Sequence, residues 1–453
     1  MSLNFLATRF QCSWPWNMLV MLCDGRVVCG CADPYAHRVL GDARTSPVHD
    51  VWSGPVITRL REDLNAGGSK FCGDCSLKTP LKRDEAPPVR LAAGALPSQM
   101  YIECTAACNI SCTQAVCAPE TGIARTRQAG MLDFELFRRV IDEAGPSLQR
   151  IDFFNYGEAF LHKRAIEMCE YIKSRFPHIY IYTSTNGLAL DEAQARRLVH
   201  SGIDEVTFSI DGAAQESYVK YRQRGRFDVA IANLRAMADE KRRSGRDAPF
   251  LNWRYILFVW NDSDEEMALA RQLAAGIGVD RLCWEITDHP EDSYSRRFLP
   301  GTPDYESIHQ EIWDQTGLGN AIPGATPRAR IDVRTLVPRV PLMGRAGRTM
   351  RVRTRVHNLS NRVFPARTAS GRRLIRLGAQ LCDAGGLLID RDFARAWLPD
   401  NLAPGSRTNV AIDIPVPPQP GRYALKFDLV CEGIDWFERC GSETTIKPLV
   451  VRT

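Results

Sequence analysis

Three cysteines fall within ten residues in C-N-I-S-C-T-Q-A-V-C, Cys108 to Cys117, directly after the strand-like run Gln99 to Glu103. Three soft thiolates on one short loop suit an iron–sulfur or a zinc centre. Four cysteines close a cubane, whereas three leave one iron free to bind a small molecule and act on it. The spacing makes Cys108, Cys112 and Cys117 the expected ligands. A competing trio of Cys104, Cys108 and Cys112 requires the chain to fold back at once at the end of the apolar strand. A structural zinc knot is the non-enzymatic alternative.

A scaffold must bring other groups to such a loop. Strand-like runs recur near Met100, Ile151, Ile181 and Val206, over Trp253 to Val259, and over Arg281 to Glu285. Helical patterns lie between them, among them Phe134 to Ala144, Asp191 to His200 and Phe227 to Arg242. Six such units predict an α/β fold, a partial (β/α)6 TIM-like barrel, with its site at the C-terminal ends of the strands. Chemistry-bearing residues fall at that edge. I-D-F-F-N-Y-G-E carries Gly157 and Glu158, and Tyr180 to Ser184 runs into Thr185-Asn186-Gly187. E-V-T-F-S-I-D-G carries Ser209 and Asp211 on one side by two-residue alternation, and Y-V-K-Y-R ends at Arg222. Asn261 fits the same edge, with Asp264 expected to cap the helix through Glu265 and Glu266.

This ordered set resembles the radical S-adenosylmethionine superfamily. Cys108 and Cys112, with Asn109-Ile110 between them, match the first two positions of its usual C-x3-C-x2-C loop. Ala115 stands where the third cysteine is expected, and Cys117 is the nearest candidate. Gly157 and Glu158 match the G-G-E-P motif, with Tyr156 and Ala159 substituted. The resemblance implies that this loop's backbone and carboxylate hold the methionine ammonium, and that Ser184 and Asn186 belong to the same cofactor site. It further implies that Ser209 and Asp211 face the ribose and methionine portions, and that Arg222 holds the ligand carboxylate. A carboxylate accepting two charge-assisted bonds from an ammonium agrees with that assignment.

Upstream lies a second cysteine set: Q-C-S-W-P-W-N-M-L-V-M-L-C-D-G-R-V-V-C-G-C-A-D, then D-V-W-S-G-P, then F-C-G-D-C. It resembles the auxiliary-cluster module called SPASM, which in most relatives follows the barrel and here precedes it. Asp24-Gly25 is a tight hairpin signal that brings Cys12 towards Cys29 or Cys31. The resemblance implies a fully ligated auxiliary [4Fe–4S] cluster on Cys12, Cys31 (or Cys29), Cys72 and Cys75, with Cys23 spare. A zinc ribbon would use CxxC pairs equally well.

The 453 residues suffice for two or three domains, expected over 1–88, 89–325 and 326–453, with Lys82 to Pro97 as a Pro-, Ala- and Gly-rich linker. Fifteen cysteines without a signal peptide point to a reducing cytoplasm. No apolar run approaches the ~20 residues of a membrane span. The net charge of +5 on 58 basic and 53 acidic residues gives no reason to propose nucleic acid. The run Lys241-Arg242-Arg243 reads as a solvated helix end.

From about Ala329 the chain reads as short β runs. In M-R-V-R-T-R-V, Met350, Val352, Thr354 and Val356 share one face and Arg351, Arg353 and Arg355 the other. One wet and one buried face predict an all-β sandwich. This stretch resembles β-sandwich domains appended to bacterial proteins of cell-surface polysaccharide synthesis. Trp436 and Phe437 are either core aromatics or an exposed sugar-stacking pair.

The activity implied is reductive cleavage of S-adenosylmethionine at the open-iron [4Fe–4S] cluster, giving a 5′-deoxyadenosyl radical that abstracts hydrogen from substrate. The cofactors carry that chemistry and the protein orients them. The electron is expected from a flavodoxin or ferredoxin. The substrate expected from the C-terminal domain is a small molecule such as a sugar or glycan precursor, oxidised or epimerised. A peptide-modifying maturase is the alternative enzyme, and a metal-scaffolded carbohydrate binder the non-enzyme reading.

Overall fold

The computed structural model describes residues 9–31, 33–73, 75–81, 93, 96–113, 123, 127, 130–308, 311–313, 328–334, 341–366, 374–386, 388–432, 435–440 and 442–453. The described residues up to Trp313 form one compact unit and those from 328 onward a second.

The first unit is organised by one nine-stranded sheet. Its strands are β1 (Met18–Met21), β2 (Arg26–Val28), β3 (Val39–Asp42), β4 (Gln99–Ile102), β5 (Arg150–Asp152), β6 (Tyr180–Thr185), β7 (Glu205–Ser209), β8 (Phe250–Ile256) and β9 (Arg281–Glu285). Their order in space is β9-β8-β7-β6-β5-β4-β1-β2-β3. From β4 to β9 every neighbouring pair is parallel and consecutive in the chain. Consecutive parallel neighbours joined by helical crossovers are the arrangement of a singly wound barrel. The strand expected over Trp253 to Val259 sits earlier, at Phe250–Ile256.

The helices form where local signals favour them. Asp133 accepts from Leu136 N to start α1 (Phe134–Ala144), which buries Phe134, Phe137, Val140, Ile141 and Ala144 along one stripe. Each such apolar side chain taken out of water contributes about 1.5–3 kcal/mol. The helix after β5 is α2 (Ala165–Arg175). Asp191 and Gln194 form a capping box on α3 (Glu192–His200), and α4 (Phe227–Arg243) precedes β8. Ser263, not Asp264, caps α5 (Asp264–Ile277): its hydroxyl accepts from Glu266 N, and Asp264 opens the helix, where an acid favours the macrodipole.

Strand alternation gives the barrel sheet two different faces. Met100, Ile102, Ile151, Ile181, Val206, Phe208, Leu251 and Trp253 are buried in the core that includes the helices' apolar stripes. The alternate positions include the polar residues Tyr101, Asp152, Tyr182, Ser184, Ser209, Arg254 and Glu285. That polar face suits a site rather than a packed centre.

The cysteine-rich segment is built into the same sheet. β1 pairs parallel with β4, Met18 opposite Gln99 and Met21 opposite Ile102, and β2 and β3 continue antiparallel beyond it. The Asp24-Gly25 turn joins β1 to β2, with Gly25 at φ +86. Leu19, Val20 and Met21 are fully buried, Leu19 and Met21 in the main core and Val20 in a separate cluster with Leu22, Val28 and Ala36.

The second unit holds a three-stranded antiparallel sheet (Ala329–Arg334, Thr349–Asn358, Arg407–Pro415) and a six-stranded sheet that includes Ile375–Asp383 and Gly421–Cys431. Val352, Val356 and Ile412 from the first share a core with Leu377, Leu425 and Phe427 from the second. Trp436 is 3% exposed and Phe437 0%. Both are core residues, so neither offers a face to a sugar.

Candidate functional site

The loop after β4 carries Cys108, half-buried, and Cys112, buried, while Cys117 lies outside the described residues. Ser111–Cys112 pairs antiparallel with Arg222–Gln223, setting Cys112 opposite Arg222. Cys104 is in the hydrophobic core at 1% exposure, where burial holds its thiol pKa well above the ordinary value. It packs as a small apolar side chain.

Loops from three further strands meet this one. After β5, Gly157 adopts φ +79, and a Cβ there would stand 2.5 Å from Ala107 O and 2.6 Å from Thr105 O. Only glycine lets the two loops approach this closely. Glu158 N donates to Ala107 O at 2.8 Å, fastening the loop to the residue before Cys108. The Glu158 carboxylate is 2% exposed. It accepts from Thr185 Oγ1 at 2.8 Å, Asn186 N at 2.7 Å and Phe160 N at 3.3 Å. Burial raises its pKa, and those donors work against the shift. Glu158 thus braces the loops after β5 and β6, with little carboxylate capacity left over.

Asn186 Nδ2 donates to Asn109 Oδ1 at 2.8 Å and lies 3.8 Å from Cys108 Sγ. Ser184 Oγ and Ser209 Oγ are 3.1 Å apart, and Arg254 Nη2 donates to Ser209 Oγ at 3.0 Å. Asp211 is 0% exposed. Its carboxylate accepts from Arg222 Nε at 2.5 Å and Ile256 N at 2.7 Å. Arg222 Nη1 reaches Cys112 Sγ at 3.3 Å. Burial opposes the guanidinium charge, but Asp211 and Cys112 outweigh it and hold the Arg222 pKa well above the ordinary value. Asp211 therefore orients Arg222. Asn261 Nδ2 in turn donates to Asp211 O at 3.1 Å.

A second group of cysteines lies between the segments flanking β1 and β2. Cys12, Cys29, Cys72 and Cys75 line one recess with Trp14, Phe71 and two cations, Arg38 and Lys78. Its empty space is about 390 Å³, counting the part open to solvent. Four soft donors with positive charge beside them fit a fully ligated iron–sulfur cluster, whose thiolates carry net negative charge. Burial, then the neighbouring thiols, push Cys72 up to about 12 and Cys29 well above its ordinary value, so metal loading must displace protons.

Of the two alternatives expected at one ligand position, Cys29 lines this recess and Cys31 does not. The chain bends directly after β2, at Cys29, and at the following Gly30 a Cβ would meet Leu77 Cδ1 at 2.7 Å. Burial, then the neighbouring Asp152 and Cys75, push the Cys31 thiol up to about 12.

Two groups of functional weight escape a reading of motifs. Glu103, 0% exposed, accepts from Arg127 at 2.8 and 2.9 Å, from Cys23 N at 3.2 Å and from Asn155 Nδ2 at 3.3 Å. It ties the hairpin loop to two barrel loops. Arg254 and Glu285, 3.1 Å apart, stand on the polar face of β8 and β9. The signal for them is a charged residue at an inward position of a strand, visible only once the face is known.

The family described as the radical SAM superfamily matches residues 102–269, and the SPASM iron-sulfur cluster-binding domain matches residues 12–76. The chain thus carries a radical SAM domain over residues 102–269, preceded by a SPASM domain over residues 12–76. The cofactors of these domains are a [4Fe–4S] cluster, S-adenosylmethionine and auxiliary iron–sulfur. Among curated relatives, the chain is 32% identical over 114 residues to a tungsten-containing aldehyde ferredoxin oxidoreductase cofactor-modifying protein of Pyrococcus furiosus, covering 25% of this chain and 30% of the relative. It is 28% identical over 129 residues to a GTP 3′,8-cyclase of Desulforamulus reducens, covering 28% and 39%. It is 30% identical over 184 residues to mycofactocin maturase MftC of Mycobacterium tuberculosis, covering 40% and 43%. The chain spans less than half the length of each. Among the described residues no helix is long and apolar enough to cross a membrane.

Proposed function

We propose that this chain reductively cleaves S-adenosylmethionine at a [4Fe–4S] cluster on Cys108, Cys112 and Cys117, and that the auxiliary cluster sits on Cys12, Cys29, Cys72 and Cys75. The observation that carries the reading is the meeting of the Cys108–Cys112 loop with Gly157-Glu158 and Asn186 beyond the ends of three adjacent parallel strands. When bound, the cluster and S-adenosylmethionine supply a 5′-deoxyadenosyl radical.

The chain's own residues do the rest. Gly157 lets a backbone edge reach the cluster loop, and Glu158 holds that edge against Asn186. Ser184, Ser209 and Arg254 offer hydroxyl and guanidinium groups on the polar face, where a ribose or carboxylate is bound. Arg254 and Glu285 face the substrate, and their opposite charges suit a zwitterionic or amide-bearing group. Electrons come from a flavodoxin or ferredoxin in a reducing cytoplasm.

The substrate we infer is a peptide or cofactor precursor undergoing maturation. This is supported by the names of two relatives, a maturase and a cofactor-modifying protein. The sugar or glycan expectation finds no support among those relatives, and the buried Trp436 and Phe437 remove its stacking pair. The test is anaerobic reconstitution followed by deuterium transfer into 5′-deoxyadenosine from labelled peptides, cofactor precursors and sugar conjugates. Transfer from a sugar conjugate alone overturns the substrate reading. Failure to cleave S-adenosylmethionine with full iron loading overturns the activity.

A further inference from the structure

We propose that Arg222 is a positioning residue that donates an N–H···S hydrogen bond to the Cys112 thiolate and thereby raises the reduction potential of the open-iron cluster. The inference rests on the ligand assignment above. Three observations place the guanidinium there. Cys112 and Arg222 are register partners on paired two-residue strands. Nη1 lies 3.3 Å from Cys112 Sγ, within reach of a sulfur acceptor. Asp211, itself held by Ile256 N at 2.7 Å and 0% exposed, takes Nε at 2.5 Å and fixes the fork's orientation.

Such a donor acts on the electron equilibrium. A hydrogen bond to a cluster sulfur, and positive charge beside it, stabilise the reduced, more negative cluster. The Arg222 side chain is only 11% exposed, so water screens its field weakly. Asn186 Nδ2, 3.8 Å from Cys108 Sγ, is a neutral and longer contact of the same kind. The guanidinium is the stronger of the two, and it alone is charged. A lysine ammonium bonded to Asp211 is a single point and does not span to the sulfur as the fork does.

The experiment is a potentiometric titration of the anaerobically reconstituted full chain, followed by electron paramagnetic resonance on the signal that changes when S-adenosylmethionine is added. Two variants are compared with the parent: Arg222→Lys, and Arg222→Gln combined with Asp211→Asn, which avoids leaving a lone buried carboxylate. The expected result is an open-iron cluster at least tenfold harder to reduce in the double variant, a shift of about −59 mV for one electron, and a smaller shift of the same sign in Arg222→Lys. An unchanged potential in the double variant overturns the proposal. Should that variant hold no iron, Arg222→Lys decides, and an unchanged potential there overturns it. Absence of any signal responsive to S-adenosylmethionine in the parent instead overturns the ligand assignment.

Discussion

Tyr156 Oη donates to the carbonyl of Cys31 at 2.6 Å, joining a residue of the Gly157-Glu158 loop to the segment that leaves the four-cysteine recess. Tyr156 thereby ties this loop to the cysteine-rich segment. Its backbone N also lies 3.4 Å from Glu103 Oε2, on the hub that holds Cys23 and Arg127.

Replacing Tyr156 with Phe removes this bond and leaves a poorly solvated carbonyl. A loss of about 1 kcal/mol in unfolding free energy is expected, with iron content unchanged. Chemical denaturation of the reconstituted protein measures it. A variant as stable as the parent shows that the bond is not a tie.

Cys29→Ala is expected to halve the iron, from about eight to about four per chain, as one of two cubanes is lost. Cys31→Ala is expected to leave it near eight, since Cys31 lies off the recess. Iron and sulfide analysis decides, and the opposite pattern would return Cys31 to the ligand set.

Cys112→Ala and Cys117→Ala are each expected to abolish cleavage of S-adenosylmethionine. Cys104→Ala keeps most of it, at a stability cost of about 1 kcal/mol for a small core cavity. Assays of 5′-deoxyadenosine formation separate these outcomes. Cleavage surviving in Cys117→Ala but lost in Cys104→Ala reverses the choice of ligands.

The second unit carries its own pH dependence. Asp428 is 0% exposed, and burial raises its pKa from 3.8 to about 7, against the pull of Glu438 N and Leu429 N. A carboxyl raised on folding binds more protons when folded. Its contribution is full below about pH 4 and lost as pH rises to about 7, on the order of 4 kcal/mol across that window. The unfolding free energy of the parent relative to Asp428→Asn should therefore fall as pH rises from 4 to 7. A difference that does not vary with pH removes Asp428 as its source.

Much of this protein was determined by sequence alone, because the signals are local. Ligand spacing marks Cys108 and Cys112, two-residue alternation sets the faces of β7 and of Met350 to Val356, and Asp-Gly turns the β1–β2 hairpin. The six parallel strands follow from runs that each carry their own period. Tertiary structure decided what depends on residues far apart in the chain. The bend at Cys29, with Gly30 packed against Leu77, sets Cys29 in the recess. The pairing of Met18–Met21 with Gln99–Ile102 builds the cysteine-rich segment into the barrel sheet. Asp211 turns to Arg222, and Arg222 to Cys112, across 110 residues. Alternation places a side chain on a face, but which partner it meets there is set by the packing of the elements opposite.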